Sequence, residues 1–276
     1  MLMLCAILFP ILAGLGLAAW RPHGRIARQN YVLASACITA ALALWAVFTL
    51  RDGPLFTLLT MGDHLSIAFR VDGLSCLFAA LVSVLWPLAC LYAVEYMSRE
   101  GHENRFFTFY LASFGVTLGI AFSANALTMY LFYELLTLAT LPLVMHAMDS
   151  KVRYAGRVYL TYSMCGAALG FLAMVMLLEH GGTVFLLGGS LVCPAGKENT
   201  LRAAYVLGFF GFGVKAAVFP GAQVAAAGFS GSHAGDRPAP CGGGGEGGRV
   251  RRHPPDLVRL RTCPSSGLLG PIPGDE

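Results

Sequence analysis

Through residue 220 the chain alternates long apolar stretches with short polar ones, and the long stretches reach the length of about 20 residues that a bilayer-crossing helix needs. The pattern predicts helices at roughly 2–20, 31–50, 73–94, 106–123, 125–147, 156–178 and 202–220. Residues 55–71 read differently: Leu55-Phe-Thr-Leu-Leu and then Leu65-Ser-Ile-Ala-Phe have strand character and predict a hairpin on the outer face. Thr183–Gly188 is apolar but too short to span. Pro10, Pro87 and Pro142 fall inside predicted helices and read as kinks.

The pattern stops after Pro220. Residues 221–276 hold 13 of the 33 glycines and 7 of the 14 prolines, no lysine, and no periodic apolar face to bury. Such composition predicts disorder. The expected organisation is therefore a membrane domain at 1–220 and a disordered tail at 221–276.

Composition strengthens the membrane reading. Hydrophobic residues make up 56% of the 276 and charged residues only 12%, with a mean hydropathy of +0.65. A water-facing globule carries about twice that share of charge. Most soluble enzymes and nucleic-acid binders are thereby excluded, and the short basic run Arg249-Val-Arg-Arg-His is a poor nucleic-acid signal. The net charge of +4 says little about partners. The eight cysteines lack a C-x-x-C pair and mostly sit in apolar runs, so they read as small hydrophobes. No dinucleotide fingerprint or cysteine cluster is visible, and no cofactor or metal is expected.

Charge also orients the chain. Arg21, Arg25 and Arg28 lie in the first polar loop, Arg99 and Arg105 in the third, where Glu95, Glu100 and Glu103 dilute them, and Lys151, Arg153 and Arg157 in the fifth. Seven alternating helices place these loops on one side. The other side carries Arg51 and Arg70 balanced by Asp52, Asp63 and Asp72, and a nearly chargeless turn near 123–125. The positive-inside rule then puts the N-terminus outside. The absence of Lys or Arg before the first helix argues against a cleavable signal peptide.

Two charges fall inside apolar segments. Glu134 lies mid-segment in Met129-Tyr-Leu-Phe-Tyr-Glu-Leu-Leu-Thr-Leu. Lys215 lies in Gly208-Phe-Phe-Gly-Phe-Gly-Val-Lys-Ala-Ala-Val-Phe-Pro220, and lysine is rare here, the others being Lys151 and Lys197. A charge at mid-membrane costs several kcal/mol, about 2.5–3.5 on insertion scales, so such residues are usually functional. The bland readings are a protonated glutamate bonding two helices and a lysine snorkelling to the interface. Pro220 removes a backbone donor and clashes with the carbonyl of Ala216, which predicts a helix break beside the ammonium and a wet cavity there. Together the two suggest a carboxylate–ammonium relay, in which the partner's charge and burial jointly set the lysine's hold on its proton.

Weaker candidates surround the pair. His146, near the inner end of the fifth segment, is a possible relay and more simply an interfacial histidine. Thr137, Thr140, Thr161 and Ser163 could hold water or merely bond their own helices. Arg105 and the pair Arg153 and Arg157 read as inner-face anchors.

At these residues the chain resembles a known family: the antiporter-like membrane subunits of respiratory NADH:quinone oxidoreductase (complex I), Mrp-type cation/proton antiporters and energy-converting hydrogenases. The likeness runs through Phe69-Arg-Val-Asp-Gly-Leu-Ser, Arg105-Phe-Phe, Phe132-Tyr-Glu-Leu-Leu and Val214-Lys-Ala-Ala-Val-Phe-Pro, over roughly residues 65–220. The resemblance implies an all-α polytopic bundle, a proton path through Glu134 and Lys215 with the break at Pro220, and a large multisubunit membrane partner. It also implies an N-terminus outside.

The tail departs from that family, which continues after the proline with a histidine, a Trp-Leu-Pro motif and another apolar helix. Shifting the reading frame by one nucleotide restores it. Gly221 to Ala227 then permits V-H-K-W-L-P, Gly228 to Cys241 permits D-S-P-A-P-M-P-V-T-A-L-L-H, and Cys241-Gly-Gly-Gly-Gly-Glu-Gly-Gly with the first base of Arg249 permits A-V-A-V-V-K-A-G. The expectation is a frameshift just after Pro220 that leaves an out-of-frame tail in place of the second half of the relay; a regulatory tail is the alternative.

The expected function is movement of H⁺ or Na⁺ across the cell membrane as part of a redox-driven or Mrp-type complex, impaired by truncation, with no catalytic centre of the chain's own. The alternatives are a non-transporting membrane scaffold and a free-standing cation/proton exchanger.

Overall fold

The computed structural model describes residues 1–20, 24–51, 53–61, 65–98, 102–146, 150–179, 196 and 198–215. In chain order these form α1 (Leu2–Trp20), α2 (Arg25–Thr49), β1 (Phe56–Met61), β2 (Leu65–Phe69), α3 (Gly73–Met97), α4 (Glu103–Ala121), α5 (Ala126–Val144), α6 (Ser150–Leu178) and α7 (Glu198–Gly213). Of these helices α1, α2, α3, α5 and most of α6 are long and apolar enough to cross a membrane. The chain is a multi-pass membrane protein. The expected tail at 221–276, the break at Pro220 and the short segment Thr183–Gly188 lie outside the described residues.

α4 is the central helix of the described bundle. Phe107, Leu111, Phe114 and Leu118 on it are fully buried, so protein rather than lipid surrounds them. Towards one end they pack with Met3, Ile7, Val47, Phe69 and Phe122, and towards the other with Leu17, Val32, Cys90 and Met97. α1 lies directly against α4 because Gly14 has no side chain: a Cβ there would sit 2.6 Å from the Thr108 carbonyl oxygen. Small residues that let backbones approach are the ordinary means of helix association in lipid. Trp86 stacks on Phe114 at 5.2 Å between ring centroids, and the Tyr110 hydroxyl donates to the Trp86 carbonyl at 2.8 Å, which ties α3 to α4.

The predicted hairpin is present. β1 and β2 pair antiparallel with Phe56 opposite Phe69 and Met61 opposite Leu65. It is stitched to the start of α5. Ala124 N–H donates to the Ala68 carbonyl at 2.9 Å, Ala68 N–H to Thr128 Oγ1 at 3.0 Å, and Asn125 Nδ2 to the Ser66 carbonyl at 2.5 Å. The same Asn125 caps α5 by accepting from Thr128 N–H at 2.8 Å, as Asp72 caps α3 by accepting from Ser75 N–H at 2.7 Å.

The opposite end gathers the basic loops. Arg28 at the start of α2 forms an ion pair with Glu103 at the start of α4, and Arg25 lies 3.6 Å from the same carboxylate. Arg105 Nη2 donates to the His146 carbonyl just past α5 at 2.7 Å. Glu103, read from sequence as diluting the positive charge of its loop, is instead the partner of two arginines from the first loop.

α7 differs from its predicted range. It begins at Glu198 and ends at Gly213, with Val214 and Lys215 in a turn, rather than running on to 220. Gly211 and Gly213 in its last turn weaken the helix there.

Candidate functional site

α5 carries its side chains in two stripes set by the helical period. Leu131, Leu135 and Leu138 are exposed, on the face turned away from the bundle. Tyr133 and Thr137 are buried, and Thr140 lies beyond them on the same face. Glu134 sits on the flank between the stripes, half-buried, with Oε1 enclosed and without a hydrogen-bond partner among the described residues.

Lys215 reaches this place from the turn after α7. Its Nζ donates to the backbone carbonyl of Tyr133 and lies 3.6 Å from the centroid of the Tyr133 ring. The Tyr133 hydroxyl donates in turn to the Gly211 carbonyl at 3.2 Å, and Phe212 packs edge-on against its ring at 5.2 Å. Glu134 and Lys215 are within electrostatic reach of one another. The two are not joined by an ion pair; those formed among the described residues are Arg25 and Arg28 with Glu103, and Arg202 with Glu198.

α6 backs the last turn of α7. A Cβ on Gly211 would lie 2.5 Å from the Gly170 nitrogen and 2.8 Å from the Gly166 carbonyl, and one on Gly166 would lie 2.8 Å from the Val214 side chain. Only glycine allows this approach of α6 to the last turn of α7.

Below the pair a seam of hydroxyls runs between α5 and α6. Thr137 Oγ1 and Ser163 Oγ are 3.5 Å apart and buried, and Thr140 Oγ1 is 2.9 Å from the Tyr159 hydroxyl. Thr140 also donates to its own Leu136 carbonyl at 2.7 Å. Thr161, named with these from the sequence, is exposed and donates to the Arg157 carbonyl of its own helix at 2.9 Å. Such a seam can carry water or pass protons between hydroxyls. His146 lies beyond its far end, about 18 Å from Glu134 along the helix at 1.5 Å per residue, with its ring edge-on to Phe106 at 5.5 Å. The structure thus brings Glu134 and Lys215 together and leaves His146 at a distance. Sequence reasoning misses Tyr133, whose only signal is its place beside Glu134 in an aromatic run. Among the described residues no three His, Cys, Asp or Glu side chains are grouped closely enough to hold a metal ion.

Residues 58–107 match the family described as the N-terminus of chain 5 of NADH-ubiquinone oxidoreductase (complex I). Residues 123–223 match the transmembrane family of NADH:quinone oxidoreductase and Mrp antiporters. The chain is 31% identical over 114 residues, 41% of its length, to a protein of Rhizobium meliloti described as a probable K(+)/H(+) antiporter subunit. It is 39% identical over 71 residues, 25% of its length, to an Na(+)/H(+) antiporter subunit of Alkalihalophilus pseudofirmus. These matches span 11% and 9% of the two relatives. In fold it is similar to a chain of respiratory complex I from Thermus thermophilus, with a TM-score of 0.66 at 22% identity, covering 83% of this chain and 46% of that one. A chain of the Mrp complex from Dietzia sp. DQ12-45-1b gives a TM-score of 0.63 at 20% identity, covering 84% of this chain and 44% of that one. The chain therefore spans less than half the length of each of these four proteins.

Proposed function

The chain belongs to the antiporter-like membrane subunits of NADH:quinone oxidoreductases and Mrp antiporters, and on that premise we propose that it moves protons, alone or in exchange for Na⁺, through Glu134 and Lys215. The observation that carries this reading is the placement of the two charges. A carboxyl group with an enclosed oxygen that has no hydrogen-bond partner among the described residues and an ammonium group lie within electrostatic reach inside an apolar bundle. Neither is cheap to keep in lipid. Because each stabilises the other's charged form, a proton lost by one alters the hold of the other, and a change in their separation drives loading and release. The hydroxyl seam from Thr137 to Tyr159 supplies a route from the pair towards the end that carries the arginines.

In the same reading the chain works within a multisubunit membrane complex, in the cell membrane, with its N-terminus outside and the end bearing Arg28, Glu103 and Arg105 on the inner side. Residues 1–220 form the working domain. Residues 221–276 are out-of-frame translation, which the nucleotide sequence across the codons for Phe219 to Ala222 tests. The tail leaves that relay without its second half, so the function itself is tested by Glu134→Gln in a version restored to the in-frame continuation, within the assembled complex, read as proton uptake by inverted membrane vesicles. Loss of coupled uptake with normal assembly supports it, and wild-type uptake rejects it.

A further inference from the structure

Lys215 has two anionic or electron-rich partners to choose from at the α5 surface, and it sits on the one that carries no charge. Its ammonium donates to the Tyr133 carbonyl and lies over the Tyr133 ring at 3.6 Å, while the Glu134 carboxylate on the next residue has no ion pair among the described residues. The ring cannot swing away freely. Its hydroxyl is tied to the Gly211 carbonyl at 3.2 Å, and Phe212 closes on it edge-on at 5.2 Å. The face of an aromatic ring attracts a desolvated cation through its quadrupole. A ring held at both ends is therefore a fixed cradle for an ammonium group in lipid.

We propose that Tyr133 is a positioning residue that parks the Lys215 ammonium on its ring face, beside Glu134 and out of contact with it. Rupture of the parked contact is then the event that lets the lysine close on the carboxylate. The proposal rests on the relay reading and deepens it: the pair has an open arrangement held by Tyr133 and a closed one held by Glu134. The Tyr133 hydroxyl braces the ring against the end of α7, and the ring holds the charge.

The test uses the full chain in lipid, with a small water-soluble amine-acylating ester as the probe. Mass spectrometry follows the rate of acylation at Lys215, with Lys151 and Lys197 as internal references. Position 133 is filled in turn by Tyr, Phe and phenylalanines carrying one, two and three ring fluorines. Fluorination weakens the ring's attraction for cations while preserving its shape, and the backbone carbonyl is common to the whole series. Acylation at Lys215 should rise stepwise with fluorine number, to about tenfold above the Phe variant at three fluorines, with Phe itself within about twofold of Tyr. Tyr133→Leu should match the fully fluorinated ring. A flat series, or a Phe variant already as reactive as Tyr133→Leu, overturns the proposal. Glu134→Gln in the in-frame version, measured for proton uptake in the assembled complex, reports separately on the relay. A flat series with uptake lost rejects the role of Tyr133 alone, and a graded series with normal uptake supports the parked contact while rejecting the relay.

Discussion

Lys215 and Glu134 are near enough to feel one another's charge, yet the ammonium is bonded to the carbonyl of the residue before the glutamate. An ion pair already closed in lipid would be hard to open. A pair held slightly apart can be switched by a small movement. Lys215→Arg keeps the charge but replaces a compact ammonium with a planar fork that does not readily give up its proton. Lys215→Arg should therefore assemble normally and lose coupled proton uptake by at least about tenfold, measured in inverted vesicles beside Lys215→Ala.

The hydroxyl seam should matter to rate and little to stability. Thr137→Val keeps the shape and removes the hydroxyl that faces Ser163. It should slow proton uptake several-fold while leaving assembly intact. Thr161→Val, on an exposed face and bonded only within its own helix, is the control and should transport at the wild-type rate.

Gly211 has no room for even a methyl group, since its Cβ would lie 2.5 Å from the Gly170 nitrogen. Gly211→Ala must push α7 off α6 or strain both backbones, at a cost of about 1–3 kcal/mol. Thermal unfolding in detergent should show that loss. Gly73→Ala, where a Cβ meets nothing within 4 Å, should unfold like the wild type.

Much of this was legible from residue pattern alone. The starts of the first and third helices, the hairpin after residue 55, and the two charges in apolar segments all follow from local order, because hydrophobic period and the cost of burying charge are properties of a short window. What the pattern hid is contact between distant segments. Glu103 reads as dilution of its loop's charge until Arg28, 75 residues away, is seen on it. Tyr133 reads as one more aromatic in the run beside Glu134 until Gly211, 78 residues away, is seen to accept its hydroxyl. The early end of α7 was concealed for another reason: Pro220 is the stronger stop signal.

The Arg28–Glu103 contact makes a prediction of its own. Side chains with 16% and 10% exposure are largely shielded, and removing Arg28 leaves Glu103 with only the more exposed Arg25 at 3.6 Å. Arg28→Ala should cost about 1–2 kcal/mol, the loss of a charge-assisted hydrogen bond. The double variant Arg28→Ala, Glu103→Ala should cost less than the sum of the two single changes. A double-mutant cycle on unfolding in detergent measures the difference, and strict additivity would mean the contact contributes nothing.

Asn125 serves the helix and the hairpin at once, capping α5 and donating to the Ser66 carbonyl. Asn125→Ala should destabilise the protein by about 1–2 kcal/mol, with faster amide exchange in Leu65–Phe69. Asn125→Asp keeps the cap and loses the donor, so it should restore the helix start without restoring protection of the strand.

The coupling between Glu134 and Lys215 is tested most directly by infrared titration of the Glu134 carboxyl, with its C=O band assigned by its absence in Glu134→Gln. In Lys215→Met the pH midpoint of that band should move away from the wild-type midpoint, as expected for loss of a charge within reach in a low-dielectric site. An identical titration in wild type and Lys215→Met would mean that the lysine's charge does not act on the glutamate, and the relay would be refuted.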